Sequence, residues 1–210
     1  MLHQPPLPAE YVFTSDWFSH NVAAINVVFD YIQPQKILEI GSHEGRSALY
    51  FAEKALQYHR KVGICCIDHW ENLKPVQGYT HEQIFDHNMR VAQQRHAGIK
   101  LVKYKQKSHL QMMDLITKGR TGYFDFIYVD GSHKNPDVML DALLAHQLVR
   151  IGGVIAFDDY LWSPSSVPTN QDHYSLIKPA VDHYVNSYQE KVQILQMLPC
   201  YQLYVQKIAH

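Results

Sequence analysis

KILEIGSHEGRSALYFAE, residues 36–53, decides how the chain is read. Lys36 to Ile40 reads as a short buried strand, Gly41 and Gly45 follow it, and from Arg46 the apolar positions recur at helical spacing to Tyr58. Glycines between a strand and a helix let the chain reverse tightly and bring bare backbone against a ligand. The free N–H groups and dipole at the helix start favour an anionic or polar group there. The same glycines also fit the plainer reading of a tight strand-to-helix turn. Two familiar nucleotide-binding patterns fail. His43 and Arg46 stand where G-x-G-x-x-G needs its second and third glycines, and no Gly-Lys-Ser/Thr follows the turn. What remains is E-x-G-x-x-x-G-x-S.

Outward from this stretch, short β-rich runs alternate with helical segments, as in a sheet covered by helices on both faces. Strands are expected at Lys36 to Ile40, Val62 to Ile67, Lys100 to Tyr104, Phe124 to Val129, Val154 to Phe157, Val192 to Leu198 and Tyr201 to Gln206. The first five should be parallel. The last two, separated by the Pro199-Cys200 region, should pair as an antiparallel hairpin. Helices are expected at Arg46 to Tyr58, Glu82 to Gln94, Leu110 to Thr117 and Pro136 to Val149, the last capped by Asn135, with Asp137 in its first turn. A leading helix, Asp16 to Ile32, starts near a Ser15 cap and carries an apolar stripe of Ala24, Val27, Val28 and Ile32. Ser163 to Asp172 is the one long irregular stretch. The expectation is one domain over 1–210, with an N-terminal segment and leading helix (1–35) ahead of a core (36–210).

Composition narrows the function classes. With 210 residues, 46% hydrophobic, the chain is long enough to bury about 70% of the surface it exposes when unfolded. A formal charge of -1, from 19 basic and 20 acidic residues without clustering, argues against nucleic acid as a partner. Cys65 and Cys66 are adjacent and Cys200 is distant, which is neither a disulfide framework nor metal-ligand spacing, so a reducing cytoplasm fits. The start, MLHQPPLPAEY, does not read as a signal peptide. No apolar run approaches the roughly 18 residues of a membrane span, so no membrane partner is expected. Fourteen histidines make net charge pH-dependent near neutrality.

At Glu39, Gly41, Gly45 and Ser47 the sequence resembles the class I S-adenosylmethionine-dependent methyltransferases, whose first motif is an acid and spaced glycines leaving the first strand. The resemblance implies a Rossmann-like three-layer α/β sandwich with a mostly parallel seven-stranded sheet and a C-terminal antiparallel hairpin. It also implies that Glu39, Gly41, Ser42, Gly45 and Ser47 cradle the methionine end of the cofactor. Asp68, 27 residues beyond Gly41 at the end of the second strand, stands where such sandwiches place an acid for the ribose hydroxyls. By the same resemblance Ser108 lies beside the adenine, and His69 or Trp70 packs on it.

The second informative stretch is FDFIYVDGSHKNPDVMLDALLAHQLVRIGGVIAFDDY, residues 124–160. Adjacent buried strands deliver Asp130 from one and Asp158 with Asp159 from the next, on the edge where open α/β sheets bind ligands. Three close carboxylates repel unless a cation, a proton or hydrogen bonds compensate, and magnesium prefers such an oxygen cage. The pattern is similar to the metal-dependent O-methyltransferases related to catechol O-methyltransferase and the macrolide sugar enzymes. That likeness implies Asp130, Asp158 and Asp159 as metal ligands, although the third ligand in those families can be Asn where this chain has Asp159. His133 falls where the catechol enzyme carries a basic catalytic side chain, and Lys134 is its neighbour, so either can be the general base, acting with Asp130. Asp130 also suits the cofactor's amino group. Tyr160 and Trp162 are acceptor contacts by position.

These readings converge on a methyltransferase using S-adenosylmethionine and a divalent cation such as Mg2+ on a hydroxyl of a small molecule or sugar. A homodimer through the leading helix is the expected assembly. The competing readings are a metal-independent N- or O-methyltransferase and a non-catalytic cofactor-binding or interaction module. A nicotinamide oxidoreductase is disfavoured by the failed fingerprint.

Overall fold

The computed structural model describes residues 7–71, 73–167, 170–196 and 198–210. Seven strands form one sheet: β1 (Lys36–Ile40), β2 (Val62–Asp68), β3 (Ile99–Lys105), β4 (Phe124–Val129), β5 (Val149–Phe157), β6 (Val192–Ile194) and β7 (Leu203–Lys207), in the order β3-β2-β1-β4-β5-β7-β6. The first five are parallel, and β7 runs antiparallel to both β5 and β6. The mostly parallel sheet with an antiparallel end is therefore as expected. β1 is central, with β2 on one side and β4 on the other, so the direction of winding reverses beside it. Ligands bind at such a switch point, outside the carboxyl ends of the strands.

Helices cover both faces. Helices α1 (Val22–Ile32), α2 (Arg46–Ala55) and α3 (His81–Arg95) join Ile25, Phe29, Phe51 and Phe85 to Phe126 and Tyr128 of the sheet in one core. Helices α4 (Ser108–Thr117), α5 (Asn135–Leu148) and α6 (Lys178–Ser187) build the other around Met112, Leu115, Val138, Leu148, Phe157 and Tyr184. α3 begins at a full capping box: Thr80 Oγ1 accepts from Gln83 N–H, and the Gln83 side chain accepts from Thr80 N–H. No described helix is long and apolar enough to cross a membrane.

Several boundaries differ from expectation. α1 starts at Val22, after a 3-10 turn at Ser19–Asn21, because Asp16 and not Ser15 caps this region by accepting from Ser19 N–H at 2.9 Å. α5 has no side-chain cap, since the Asn135 amide reaches across to the Leu176 carbonyl. β5 starts five residues early, at Val149, because the strand continues through Gly152, whose φ of +79° accompanies a register shift against β4. β6 is cut to Val192–Ile194, while Met197, inside the expected strand, lies outside the described residues. Of the irregular stretch Ser163 to Asp172, residues 168 and 169 likewise lie outside them. α6 was not anticipated. Its buried Ala180, Val181 and Tyr184 give too brief an apolar stripe to stand out.

The N-terminal segment is tied over the start of α2. Val12 N–H donates to Asn88 Oδ1, and the Asn88 amide donates to both Val12 O and Glu44 O. Asn88, fully buried, thus joins the strap, the glycine turn and α3.

Candidate active site

Gly41 and Gly45 adopt φ of +84° and +83°, the left-handed region that glycine enters without a side-chain clash. Gly41 N–H donates to Ile67 O of β2, and a Cβ at Gly41 would lie 1.9 Å from the Asp130 carbonyl oxygen. The turn that leaves β1 and the residue that leaves β4 are therefore in backbone contact.

Under this turn lies Glu39, fully buried, whose Oε1 accepts from Ser47 Oγ at 2.6 Å. Among the described residues its Oε2 and the neighbouring Ser42 Oγ are buried without a well-formed hydrogen bond. Buried polar atoms are rarely left so, and two of them together fit a polar ligand at the turn. Burial, together with the Asp68 charge, pushes the Glu39 carboxyl up to about 7. The folded protein then holds this proton more tightly than the unfolded chain does. The associated stability is complete below about pH 4.5 and is lost as pH rises to about 7, an effect of roughly 3 kcal/mol. Glu39→Gln is expected to gain stability over the parent at pH 7.5 but not at pH 4.5, as read by urea unfolding. Equal differences at both values would count against a buried, proton-holding Glu39.

The outside of the turn is braced by Glu44, which accepts from Thr14 N–H at 2.7 Å, Thr14 Oγ1 at 2.5 Å and His81 Nδ1 at 2.8 Å. Burial opposes ionisation, yet the Thr14 and His81 hydrogen bonds hold this carboxyl below the usual range. His43 stacks between Trp17 and His81, with ring centroids 5.2 and 4.3 Å away.

At the end of β2, Asp68 Oδ2 accepts from His43 N–H and Oδ1 from Trp70 N–H. Each oxygen keeps a further lone pair for a ligand hydroxyl. Trp70 does not offer itself as an outer platform. Its indole N–H donates to His43 O, and its ring packs inward on Phe85. His69 is the exposed aromatic of the pair. Ser108, the first residue of α4, donates its hydroxyl to Asp141 on α5 at 2.7 Å. Burial pushes that carboxyl up to about 7.

The acids divide in a way the sequence reading did not foresee. Asp130, His133 and Asp159 each bring one donor atom within 4.8 Å of the others, and His133 Nε2 lies 3.2 Å from Asp159 Oδ2. Burial and the charges of Asp158 and Asp159 push the Asp130 carboxyl well above the usual carboxylate range. A nearby cation would relieve that strain. Asp158, expected in the ligand set, lines the same recess as Asp130 and His133 but spends its carboxylate on other partners. Only 5% exposed, it accepts from Tyr128 Oη at 2.6 Å, Gln202 Nε2 at 2.8 Å and Asn21 Nδ2 at 3.2 Å. Its carboxylate is satisfied within the protein.

The Lys134 ammonium sits over the Tyr174 ring, 5.8 Å from its centroid. One further expectation needs correction. Tyr160 is buried, and its hydroxyl donates to Asp182 on α6, so it packs the core instead of lining a cleft. Trp162 does stand at the cluster, edge-on to His133 with centroids 4.6 Å apart. Tyr201, which the sequence did not flag, faces Asp159. Burial and a hydrogen bond with that carboxylate push its phenol up to about 12.

The Methyltransferase domain family profile matches residues 38–160, which runs from β1 and its glycine turn through Asp158 and Asp159. The chain belongs to the methyltransferase family. A curated relative of this methyltransferase chain, "Probable caffeoyl-CoA O-methyltransferase 3" of Dictyostelium discoideum, is 29% identical over 177 residues, or 80% of this chain. The chain spans 59% of that protein's length. Among solved structures, the Bacillus cereus O-methyltransferase in complex with SAH superposes with a TM-score of 0.62 at 17% identity, covering 93% of this chain and 84% of that one. MycE methyltransferase of the mycinamycin pathway, in complex with Mg and SAH, also gives 0.62, at 15% identity, covering 93% of this chain and 51% of the other. At those identities the likeness is one of fold.

Proposed function

We propose that this methyltransferase-family chain transfers the methyl group of S-adenosylmethionine to a hydroxyl oxygen of a small molecule or sugar, with a divalent cation and a histidine base. The observation that carries this reading is the backbone contact between Gly41 and Asp130. It sets a glycine turn, where two buried polar atoms have no well-formed hydrogen bond among the described residues, directly beside a carboxylate–imidazole cluster, so cofactor and acceptor sites share one wall. The SAH and Mg of the structural neighbours support the same ligands here.

In this arrangement Glu39, Ser42, Ser47 and the backbone at Gly41 and Gly45 orient the methionine end, and Asp68 takes the ribose hydroxyls. His69 and Ser108 flank the adenine. Asp130 and Asp159 hold the cation. Bound there, the cofactor supplies an electrophilic methyl and the cation makes the acceptor hydroxyl easier to ionise. His133 takes the acceptor proton at its imidazole, and Asp159, 3.2 Å from Nε2, stabilises the imidazolium that results. Trp162 walls the acceptor beside His133. The protein's main contribution is alignment of the oxygen with the methyl carbon.

The three-atom cluster also favours a second reading, in which His133 is itself a ligand. Imidazole suits borderline metals better than magnesium, so the order of activity with Mg2+, Mn2+ and Zn2+ separates the two.

Metal-stripped protein titrated calorimetrically with S-adenosylhomocysteine should show saturable one-site binding, while nicotinamide dinucleotide shows none. An acceptor panel of catechols and sugars, run with and without Mg2+, should then give metal-dependent turnover. Absence of S-adenosylhomocysteine binding would remove the reading. Turnover that resists a chelator would replace it with metal-independent transfer.

A further inference from the structure

At the opposite end of the strands, the register aligns Lys36 of β1, Gly63 of β2 and Lys100 of β3 in one row across the sheet. Neighbouring parallel strands lie about 4.8 Å apart, so the two lysine stems rise about 10 Å from each other, on either side of a residue with no side chain. A Cβ built on Gly63 meets no atom within 4 Å. The notch opens into a cavity of about 130 Å³ bounded by Cys65, Val102, Tyr104, Leu115, Tyr123 and Phe124. That is room for about one aromatic ring, close to the roughly 150 Å³ of an apolar cavity that takes up benzene.

A third cation completes the rim. Arg120 lies over the Tyr123 ring at 4.2 Å from its centroid, and Lys36 lies at 4.4 Å from the same centroid. Several other lysines are neutralised, Lys54 by Asp30, Lys103 by Glu82 and Asp86, and Lys118 by Asp114. Among the described residues, Lys36, Lys100 and Arg120 have no carboxylate partner. Asp125, the acid beside β1 on β4, is taken up by the backbone N–H groups of Gln35 and Lys36 and by Arg150. Three unneutralised cations at the mouth of an aromatic and aliphatic hollow complement a ligand that is anionic at one end and flat and apolar at the other.

We propose that this hollow is a second ligand site, taking a small molecule with a phosphate or carboxylate head between Lys36, Lys100 and Arg120 and an apolar body against Val102, Tyr104 and Leu115. The cation row lies at the amino ends of β1 to β3, Lys36 being about 16 Å along β1 from the glycine turn, and the hollow runs from it toward Tyr104 on the α4 side of the sheet, so the anionic head it holds is distinct from cofactor and acceptor. The proposal stands independently of the proposed methyl transfer.

Phenyl phosphate and benzoate are the probes, titrated calorimetrically into the full chain with phenol and inorganic phosphate as comparisons. One or both aromatic anions should bind at a single site with Kd near or below about 1 mM, at least about tenfold tighter than either comparison. Phenyl phosphate binding more tightly assigns a phosphate head, and benzoate a carboxylate. Gly63→Val fills the notch at an ordinary strand position with a residue that favours strands, so it should fold with unchanged or raised Tm and lose binding about tenfold or more. Lys100→Glu, on the exposed rim, should lose it as well. Absence of saturable binding overturns the site. So does binding that neither variant weakens, and inorganic phosphate binding as tightly as phenyl phosphate overturns the apolar half of the assignment.

Discussion

Asp158→Ala is expected to lose the fold before it loses any chemistry, lowering Tm by roughly 10 °C, whereas Asp130→Asn should keep the fold and lose about 10³-fold in turnover. The two acids leave neighbouring strands but carry opposite burdens. Asp158 accepts from Tyr128 on β4, from Gln202 before β7 and from Asn21 before α1, and so pins three distant segments. Its removal takes the acceptor from the Tyr128 hydroxyl and the Asn21 amide and one of two acceptors from Gln202 Nε2, which also donates to Tyr128 Oη, and at about 1–3 kcal/mol for each orphaned donor the loss is several kcal/mol. Asp130 has no side-chain hydrogen bond among the described residues and is repelled by Asp158 and Asp159. Neutralising it relieves that repulsion, so thermal stability should hold or rise while the proposed cation loses an anionic ligand. Circular-dichroism melts and initial rates with saturating acceptor test both halves. The reverse ranking, with Asp130 the more destabilising and Asp158 the more inactivating, would return Asp158 to the ligand set.

That division was hidden in the sequence for a definite reason. Asp158 and Asp159 are consecutive at the end of a strand, where successive side chains leave in opposite directions, so both should not enter one site. Which of them turns inward depends on Gln202 and Asn21, 44 and 137 residues away, and neither carries a local signal. The glycine turn was legible because everything that defines it is local: a β-rich run, two glycines, then helical spacing from Arg46. That the first five strands run parallel followed from the alternation of elements. α6 did not show, because its short apolar stripe follows a Ser- and Pro-rich stretch and resembles loop until Tyr184 is seen packed on Phe157. Trp70 and Tyr160 were misplaced for a related reason. Position near a site does not say whether an amphipathic aromatic faces the cleft or the core, and in both cases a hydrogen bond to His43 O or Asp182 settles it inward.

Gly41→Ala should be far more damaging than Gly45→Ala, though both glycines have the same φ. Backbone strain at that angle costs of order 1–3 kcal/mol at either position. The surroundings differ. At Gly41 the new methyl would fall 1.9 Å from the Asp130 carbonyl oxygen and 2.8 Å from Gly131 Cα, which are backbone atoms at the end of β4. They move only if β1 and β4 part, and Gly41 is held on its other side by the hydrogen bond to Ile67 of β2. A loss of about 4 kcal/mol or more, or roughly 10 °C in Tm, is expected, together with loss of S-adenosylhomocysteine binding. At Gly45 the obstacle is Met89 Cε at 2.3 Å, the end of a flexible side chain. The double variant Gly45→Ala/Met89→Ala should therefore recover the steric part of the damage done by Gly45→Ala, measured against Met89→Ala alone. No side-chain truncation should rescue Gly41→Ala, because its clash is with backbone. Rescue of Gly41→Ala by any such truncation would show that the turn and Asp130 are not in rigid contact, and would loosen the coupling of cofactor turn to acid cluster on which the proposed function rests.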